Sequence, residues 1–189
     1  MEETTVRLDG RIIVLEAVGD ETFRKVNSFV EEVYVRAGHI THFVSFPDVY
    51  FYAVRGEKIV GAIGLLKEGS DGNFPSEVIF GISLRTITHS RTNGSKVIEI
   101  GRFAVTQEGV AEALIRYLHQ YLMINGFRFA IASLKPYMAA HLEKMGVVLV
   151  RHQYRPIISA VPAEYLPYFG GTPRPILVSM DVELFGGKK

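Results

Sequence analysis

Four consecutive residues, Glu99-Ile100-Gly101-Arg102, set an acid and a cation inside an apolar run of a 189-residue chain. A carboxylate on an apolar central strand has its pKa raised by lost solvation, which suits it to accept a proton near neutral pH. It also needs a partner. Arg102 is the near one, yet strict alternation along a strand sends residues 99 and 102 to opposite faces. A β-bulge at Gly101 shifts that parity and brings the two side chains together. The plainer alternative is a buried ion pair that only holds the fold. Just downstream, Thr106-Gln107-Glu108-Gly109 forms a short turn ahead of an amphipathic helix. The free amides and dipole at such a helix start can receive a single phosphate. Against this, Thr106 can merely cap the helix and Gly109 merely allow close packing, while Glu108 puts a carboxylate where an anion would sit.

The elements that would position these groups follow from apolar spacing. Residues 7–18 alternate around Ile12, Ile13, Val14 and Leu15, as a strand does. Phe23, Val26, Phe29, Val30 and Val33 recur at three- and four-residue intervals and predict a helix over 21–36. The stretch "YFYAV-RGEK-IVGAIGLL" reads as a hairpin turning at Gly56. Residues 77–88 read as a strand, and Asn93-Gly94 as a turn. A strand over 96–105 and a helix over 107–125 follow, the helix carrying Val110, Ala111, Leu114, Ile115, Leu118 and Leu122 on one face. Next come a buried strand "FRFAIASL", a helix opening at Pro136 and closing at Gly146, a strand "VVLVRHQY", about 20 irregular proline-bearing residues and a last strand "ILVSMDVEL". Strand, helix, strand, helix, strand in this order is a βαβ-type crossover, so part of the sheet is parallel.

Composition narrows the chemistry. The chain has no cysteine, which removes disulfides, thiolate nucleophiles and Cys-bound zinc. Its six histidines are scattered; His39 and His42 are close, but no acid completes a ligand set, so no metal is expected. A net charge of +1 argues against a nucleic-acid partner. Residues 1–100 hold 11 Lys/Arg against 14 Asp/Glu, and residues 101–189 hold 10 against 6, so the basic excess lies in the second half. Neither a secretory leader nor a membrane-length apolar run is legible, and the expectation is a soluble cytoplasmic protein.

An antiparallel first half feeding a βαβ second half, with a helix just after "RFAV", resembles the GNAT N-acyltransferase fold. "VIEIGRFAV" is similar to the Glu-x-x-Arg-Phe/Leu-x-Val strand of acyl-homoserine-lactone (autoinducer) synthases and N-acyl amino acid synthases. "HFVSFPDVYFYAVRGEKIVGAIGL", "EIGRFAV" and "GFRFAIASL…HLEKMGVVLV" resemble, in order, segments of the related thermostable-hemolysin-like family, over roughly residues 29–184. The resemblance implies an α/β (α+β) chain, one GNAT-like domain over 1–189, with a mixed sheet, antiparallel N-terminal strands, a C-terminal βαβ unit, helices on both faces and a long Pro/Gly-rich loop over 160–175. It implies acyl transfer from an acyl-CoA or acyl-carrier-protein phosphopantetheine thioester to the amine of a small metabolite, such as an amino acid or homoserine lactone, with acyl-carrier protein as a candidate partner. Glu99 and Arg102 become the catalytic pair. The bulged strand at Gly101, Phe103, Ala104 and Val105 would face the thioester, and Thr106, Gln107, Gly109, Val110 and Ala111 would hold the rest of the donor. Asp48 lies near where acyl-homoserine-lactone synthases grip the acceptor amine; the plainer reading of Pro47-Asp48 is a turn.

Two departures leave a second reading open. GNAT acetyltransferases carry Arg/Gln-x-x-Gly-x-Gly/Ala after this strand, whereas here one glycine follows on a connection about four residues shorter, at most a reduced phosphate loop. The tyrosine that protonates the leaving thiolate in many relatives is Leu142, and neighbouring His141 points about 100° away. A non-catalytic acyl-thioester-binding or regulatory module on the same scaffold is the alternative. Tyr165, Tyr168 and Phe169 of the long loop either wall an acyl tunnel or pack the loop onto the sheet. Lys135, Lys144, Arg151 and Arg155 are candidates for docking an acidic carrier protein.

Overall fold

The structure, a computed structural model, describes residues 11–84, 87 and 96–184. Among the described residues seven strands form one sheet: β1 (Ile12–Glu16), β2 (Val49–Arg55), β3 (Lys58–Leu66), β4 (Lys96–Val105), β5 (Phe127–Leu134), β6 (Val150–His152) and β7 (Ile176–Asp181). Their spatial order is β1-β2-β3-β4-β5-β7-β6. The α-helices with both ends among the described residues are α1 (Asp20–Arg36), α2 (Pro75–Phe80), α3 (Val110–Ile124), α4 (Pro136–Lys144) and α5 (Leu166–Gly170). The pair β4 and β5, joined through α3, runs parallel, and the other neighbouring pairs run antiparallel. This is the mixed α/β sheet that the resemblance implied.

Helices cover both faces, and alternation along the strands assigns them. Ile98 and Ile100 of β4 and Ala130, Ala132 and Leu134 of β5 pack with Leu114 and Leu118 of α3 and Ala139 and Leu142 of α4. On the other face, Val26 and Val30 of α1 meet Tyr50, Ala62 and Ala104, while Ile131 meets Phe74. Burial of these side chains is the main term holding the helices to the sheet, each Val, Leu, Ile or Phe contributing about 1.5–3 kcal/mol. Gly61 sets how closely α3 approaches, because any Cβ there would overlap Val110 Cγ1.

Several sequence expectations change. The described part of the apolar stretch 77–88 holds no strand: α2 opens with Pro75 in its first turn and ends at Gly81, whose φ of 61° only glycine adopts freely. Six residues are too few to show a helical period. Arg85, Thr86 and Thr88 lie outside the described residues, as do residues 7–10 of the first strand and the Asn93-Gly94 turn. Helix α3 starts at Val110 rather than Gln107, after Gly109 with φ 78°. The strand expected over 147–154 contracts to Val150–His152, and β7 inserts between it and β5. The proline-bearing stretch is not irregular throughout, for it holds α5 and two single 3-10 turns, Ile158–Ala160 and Ala163–Tyr165.

Candidate active site

The parallel pairing of β4 with β5 runs from Lys96 opposite Phe127 to Ile100 opposite Ala132, and there it stops. Beyond that point β4 continues against β3 alone. A two-residue step on β3, Ala62 to Gly64, faces a three-residue step on β4, Ala104 to Gly101, so β4 carries one extra residue. The bulge is centred on Arg102, whose φ of 55° is the left-handed conformation that non-glycine residues seldom adopt, at a cost of about 1–3 kcal/mol. Glycines make room for it. A Cβ on Gly64 would stand 3.1 Å from Arg102 Cβ, and one on Gly101 would stand 2.9 Å from Leu66 Cδ1. The bulge therefore lies one residue beyond the position the sequence suggested, and it does shift the parity. Glu99 and Arg102 both face the side of α1 and α2.

Where the strands part, a cavity of about 270 Å³ opens, walled by Glu99 to Val105 on one side and by Ser133, Leu134 and Lys135 on the other. Glu99 is 6% exposed. Its Oε2 accepts the backbone N–H of Ser76 at 3.0 Å and its Oε1 accepts the Ser76 hydroxyl at 2.7 Å. Ser76 Oγ lies 2.7 Å from Ser133 Oγ. Burial pushes the Glu99 carboxyl up to about 7; the Ser76 amide and hydroxyl and then Arg102 pull it down, and Glu77 pushes it up. Near neutral pH such a group can both take and give a proton.

Arg102 does not form the ion pair expected with Glu99. Its guanidinium lies 3.7 Å from the centre of the Phe43 ring and donates from Nη2 to Ser45 O at 3.0 Å, Ser45 Oγ at 3.3 Å and the Tyr165 hydroxyl at 2.9 Å. The left-handed turn at residue 102 carries the side chain toward the segment after α1, out of contact with the carboxylate. Arg102 thus ties the loop before β2 to the long loop and acts on Glu99 only through its field.

The long loop closes over the cavity. Tyr165, Tyr168 and Phe169 line it and also pack with Phe80 and Leu177, so facing the cavity and packing the loop onto the sheet coexist. Tyr168 donates its hydroxyl to Ser133 O at 3.0 Å. Lys135 is 5% exposed, and its ammonium donates to the carbonyls of Tyr168 at 2.5 Å, Pro173 at 2.7 Å and Gly171 at 3.5 Å. Burial lowers its pKa. Lys135 is therefore a loop fastener and not a docking cation. Arg151 is held in a bidentate pair by Glu143 at 3.0 and 2.6 Å, while Lys144 and Arg155 are exposed.

Other sequence candidates fall elsewhere. Gly101, Phe103, Ala104 and Val105 line the cavity; Thr106, Gln107, Gly109, Val110 and Ala111 do not. Thr106 does not cap α3, for its N–H and hydroxyl both go to Val60 O, at 2.9 and 3.1 Å. Val110 is buried in the core, and Glu108 and Glu112 make the helix start acidic. Asp48 lies outside the cavity: its N–H donates to Leu65 O at 2.8 Å and its carboxylate accepts the Lys67 N–H at 2.7 Å, a cross-strand role at the end of the β2–β3 pair. Leu142 is 5% exposed in the core. Among the described residues no three His, Cys, Asp or Glu stand together in a metal-binding group, and no helix is long and apolar enough to cross a membrane. A larger open hollow of about 670 Å³ along α1, from Asp20 to Glu32, is lined by solvated side chains such as the Lys25–Glu21 pair at 2.7 Å and holds no buried polar group.

Sequence reasoning missed Ser76, Ser133, Tyr34, His39 and Tyr137. The Tyr34 hydroxyl donates to Phe103 O on the bulge at 3.2 Å. Tyr137, 54% exposed, brings its hydroxyl 3.5 Å from His39 Nε2 at the cavity rim. Burial, and then Lys135, lowers the pKa of His39. The signals available were the aromatic character of residues 34 and 137 and the Pro75 and Gly81 that bound the short helix carrying Ser76.

Residues 17–153 match the family described as thermostable hemolysin. No protein of curated description matches the chain. Among solved structures, FeeM, an N-acyl amino acid synthase from uncultured soil microbes, is 17% identical with a TM-score of 0.67, over 92% of each chain. The acyl-homoserine-lactone synthase LasI is 14% identical with a TM-score of 0.59, over 92% of this chain and 91% of its own. MesI, a CoA-dependent acyl-homoserine lactone synthase, is 18% identical with a TM-score of 0.56, over 91% and 89%. These likenesses are of fold, and it is the GNAT fold the sequence resembled.

Proposed function

The chain belongs to the thermostable hemolysin family, and from that premise we propose that it is an N-acyltransferase, moving an acyl group from a pantetheine thioester to the amine of a small metabolite. The observation that carries this reading is the cavity at the parting of β4 and β5, where a buried carboxyl with a pKa near 7 meets backbone released from strand pairing. Acyl transfer to an amine needs a base for the nucleophile and donors for the oxyanion. Glu99 supplies the base. The β5-facing amides of the bulge, from Gly101 to Val105, have no strand partner on that side and serve as donors to the thioester oxygen. The acyl chain lies along the apolar wall of Leu134, Met138 and Phe169. Arg102 holds the two loops that close the site. Fold likeness to an N-acyl amino acid synthase and to acyl-homoserine-lactone synthases supports acyl transfer as the class of reaction. The acidic start of α3 favours a donor presenting one phosphate, as acyl-carrier protein does, over the full pyrophosphate of CoA.

The test is thiol release from acyl-carrier-protein and acyl-CoA thioesters offered with a panel of amino acids and homoserine lactone. Amine-dependent release with an acylated product is the expected result; no release with any donor overturns the reading.

One observation favours a second reading, a non-catalytic acyl-thioester-binding or regulatory module. The position of the relatives' proton donor is Leu142, sealed in the core. Thermal stabilisation by acyl thioesters without turnover is what this reading expects.

A further inference from the structure

The mechanism above uses Glu99 and leaves the two serines beside it unexplained. Ser76 is fully buried, and its hydroxyl has two partners, Glu99 Oε1 at 2.7 Å and Ser133 Oγ at 2.7 Å. Proton counting fixes the direction of these bonds. A serine hydroxyl has one proton to donate. While Glu99 is ionised it can only accept, so Ser76 gives its proton to Oε1, and Ser133 must give its own to Ser76. Ser133 lines the cavity, and with its proton committed inward it offers the cavity only lone pairs. Protonation of Glu99 reverses every member of the chain. The new proton sits on Oε1, because Oε2 already accepts the Ser76 amide. Glu99 then donates to Ser76, Ser76 to Ser133, and Ser133 turns its hydroxyl into the cavity.

Resting on the acyltransferase reading, we propose that Ser133 and Ser76 form a reversible proton relay between the cavity and Glu99, and that it takes the place of the missing leaving-group acid at Leu142. The acceptor enters as an ammonium ion. One of its protons passes to Ser133 Oγ as the Ser133 proton moves to Ser76 Oγ and the Ser76 proton to Glu99 Oε1. The freed nitrogen lone pair forms the C–N bond at the thioester carbonyl carbon, and the C–S bond breaks to expel a thiolate. The relay, now pointing outward, returns the Glu99 proton to the thiolate sulfur. The second proton lost from nitrogen leaves to solvent, so the enzyme ends as it began.

The chain is fixed from every side. Ser76 stands in the first turn of α2, which Glu77 closes by accepting the N–H of Phe74 at 2.9 Å and of Leu84 at 2.6 Å. Among the described residues the charged groups facing Glu99 are Arg102 on its own strand and Glu77 on α2. Ser133 is the last position but one of β5, beside the Tyr168 hydroxyl that bonds its carbonyl.

Three variants, assayed by amine-dependent thiol release across pH, test the relay. Ser133→Ala breaks the path without touching the Glu99 carboxylate: kcat falls about 10²-fold, as expected for a lost acid–base step, with the midpoint of the kcat/KM profile unmoved. Ser133→Thr keeps the hydroxyl and restores most of the rate. Ser76→Ala also removes a hydrogen bond that favours the ionised Glu99, so its rate falls and its midpoint moves to higher pH. Wild-type turnover with Ser133→Ala within about twofold of it overturns the relay and leaves the transferase reading standing. Failure of Ser133→Thr to recover overturns it too. A protein adduct of acyl mass on Ser133, seen without acceptor, overturns it in favour of a covalent nucleophile. Absence of wild-type turnover overturns the transferase reading, and the relay with it.

Discussion

Two regions of this molecule looked equally able to hold chemistry, the Glu99–Arg102 stretch and the Thr106–Gly109 turn seven residues later, and the fold treats them in opposite ways. Around Glu99 the polar groups are buried, each is answered by another, and together they face a cavity. Around Thr106 the polar groups are exposed and occupied with local structure, the Thr106 hydroxyl sharing Val60 O with its own amide. Burial is what separates them. A carboxyl out of water has its proton affinity reset and its hydrogen bonds strengthened, whereas a solvated helix start has neither.

The largest expected difference between the two regions is catalytic. Glu99→Gln keeps the shape, its amide oxygen accepting the Ser76 N–H and its NH2 donating to Ser76 Oγ, but it cannot accept a proton, and thiol release should fall about 10²–10⁴-fold. The same variant reports on stability. Because the folded pKa of about 7 exceeds the ordinary value of 4.5, folding favours the protonated carboxyl. This contribution is fully present below pH 4.5 and is lost as pH rises through about 7. Measured by urea unfolding, the wild type should lose on the order of 3 kcal/mol relative to Glu99→Gln between those limits. A parallel pH dependence in both proteins would place the carboxyl in water.

Lys135→Met comes next. It leaves three carbonyls of the long loop without their donor, and the expected cost is about 1–3 kcal/mol of stability, together with a raised KM for the donor as the loop loosens, read by thermal melting and steady-state kinetics. At the turn the effects should be smallest. Thr106→Ala and Glu108→Gln should leave kcat within about twofold, and Thr106→Ala should cost about 1 kcal/mol or less. A large activity loss at Thr106 would return the turn to the site and collapse the contrast.

What the sequence made legible, and what it hid, follows from the range of each interaction. The 3.6-residue stripe of α1, the hairpin about Gly56 and the apolar run of β4 are local patterns, and they appear almost residue for residue. The bulge was anticipated because strand parity left Glu99 and Arg102 on opposite faces, a contradiction visible in the sequence. Its consequence was not: the left-handed turn of Arg102 swings the guanidinium onto Phe43 and Tyr165 and away from the carboxylate. Ser76 was hidden because a six-residue helix has too few turns to show a period, although Pro75 at its start and Gly81 at its end were signals. Ser133 was hidden because its meaning depends on a partner 57 positions away. Lys135 read as a surface charge because nothing local says that Tyr168, Gly171 and Pro173 will surround it.

Everything proposed for the site depends on Glu99, in the cavity where β4 and β5 part, acting as the base. The most direct measurement is the pH dependence of kcat/KM for amine-dependent thiol release in the wild type and in Glu99→Gln. The wild-type rate is expected to rise through an acid limb near pH 7, and the Glu99→Gln rate to be low and to lack that limb. An unchanged rate and limb in Glu99→Gln would contradict it.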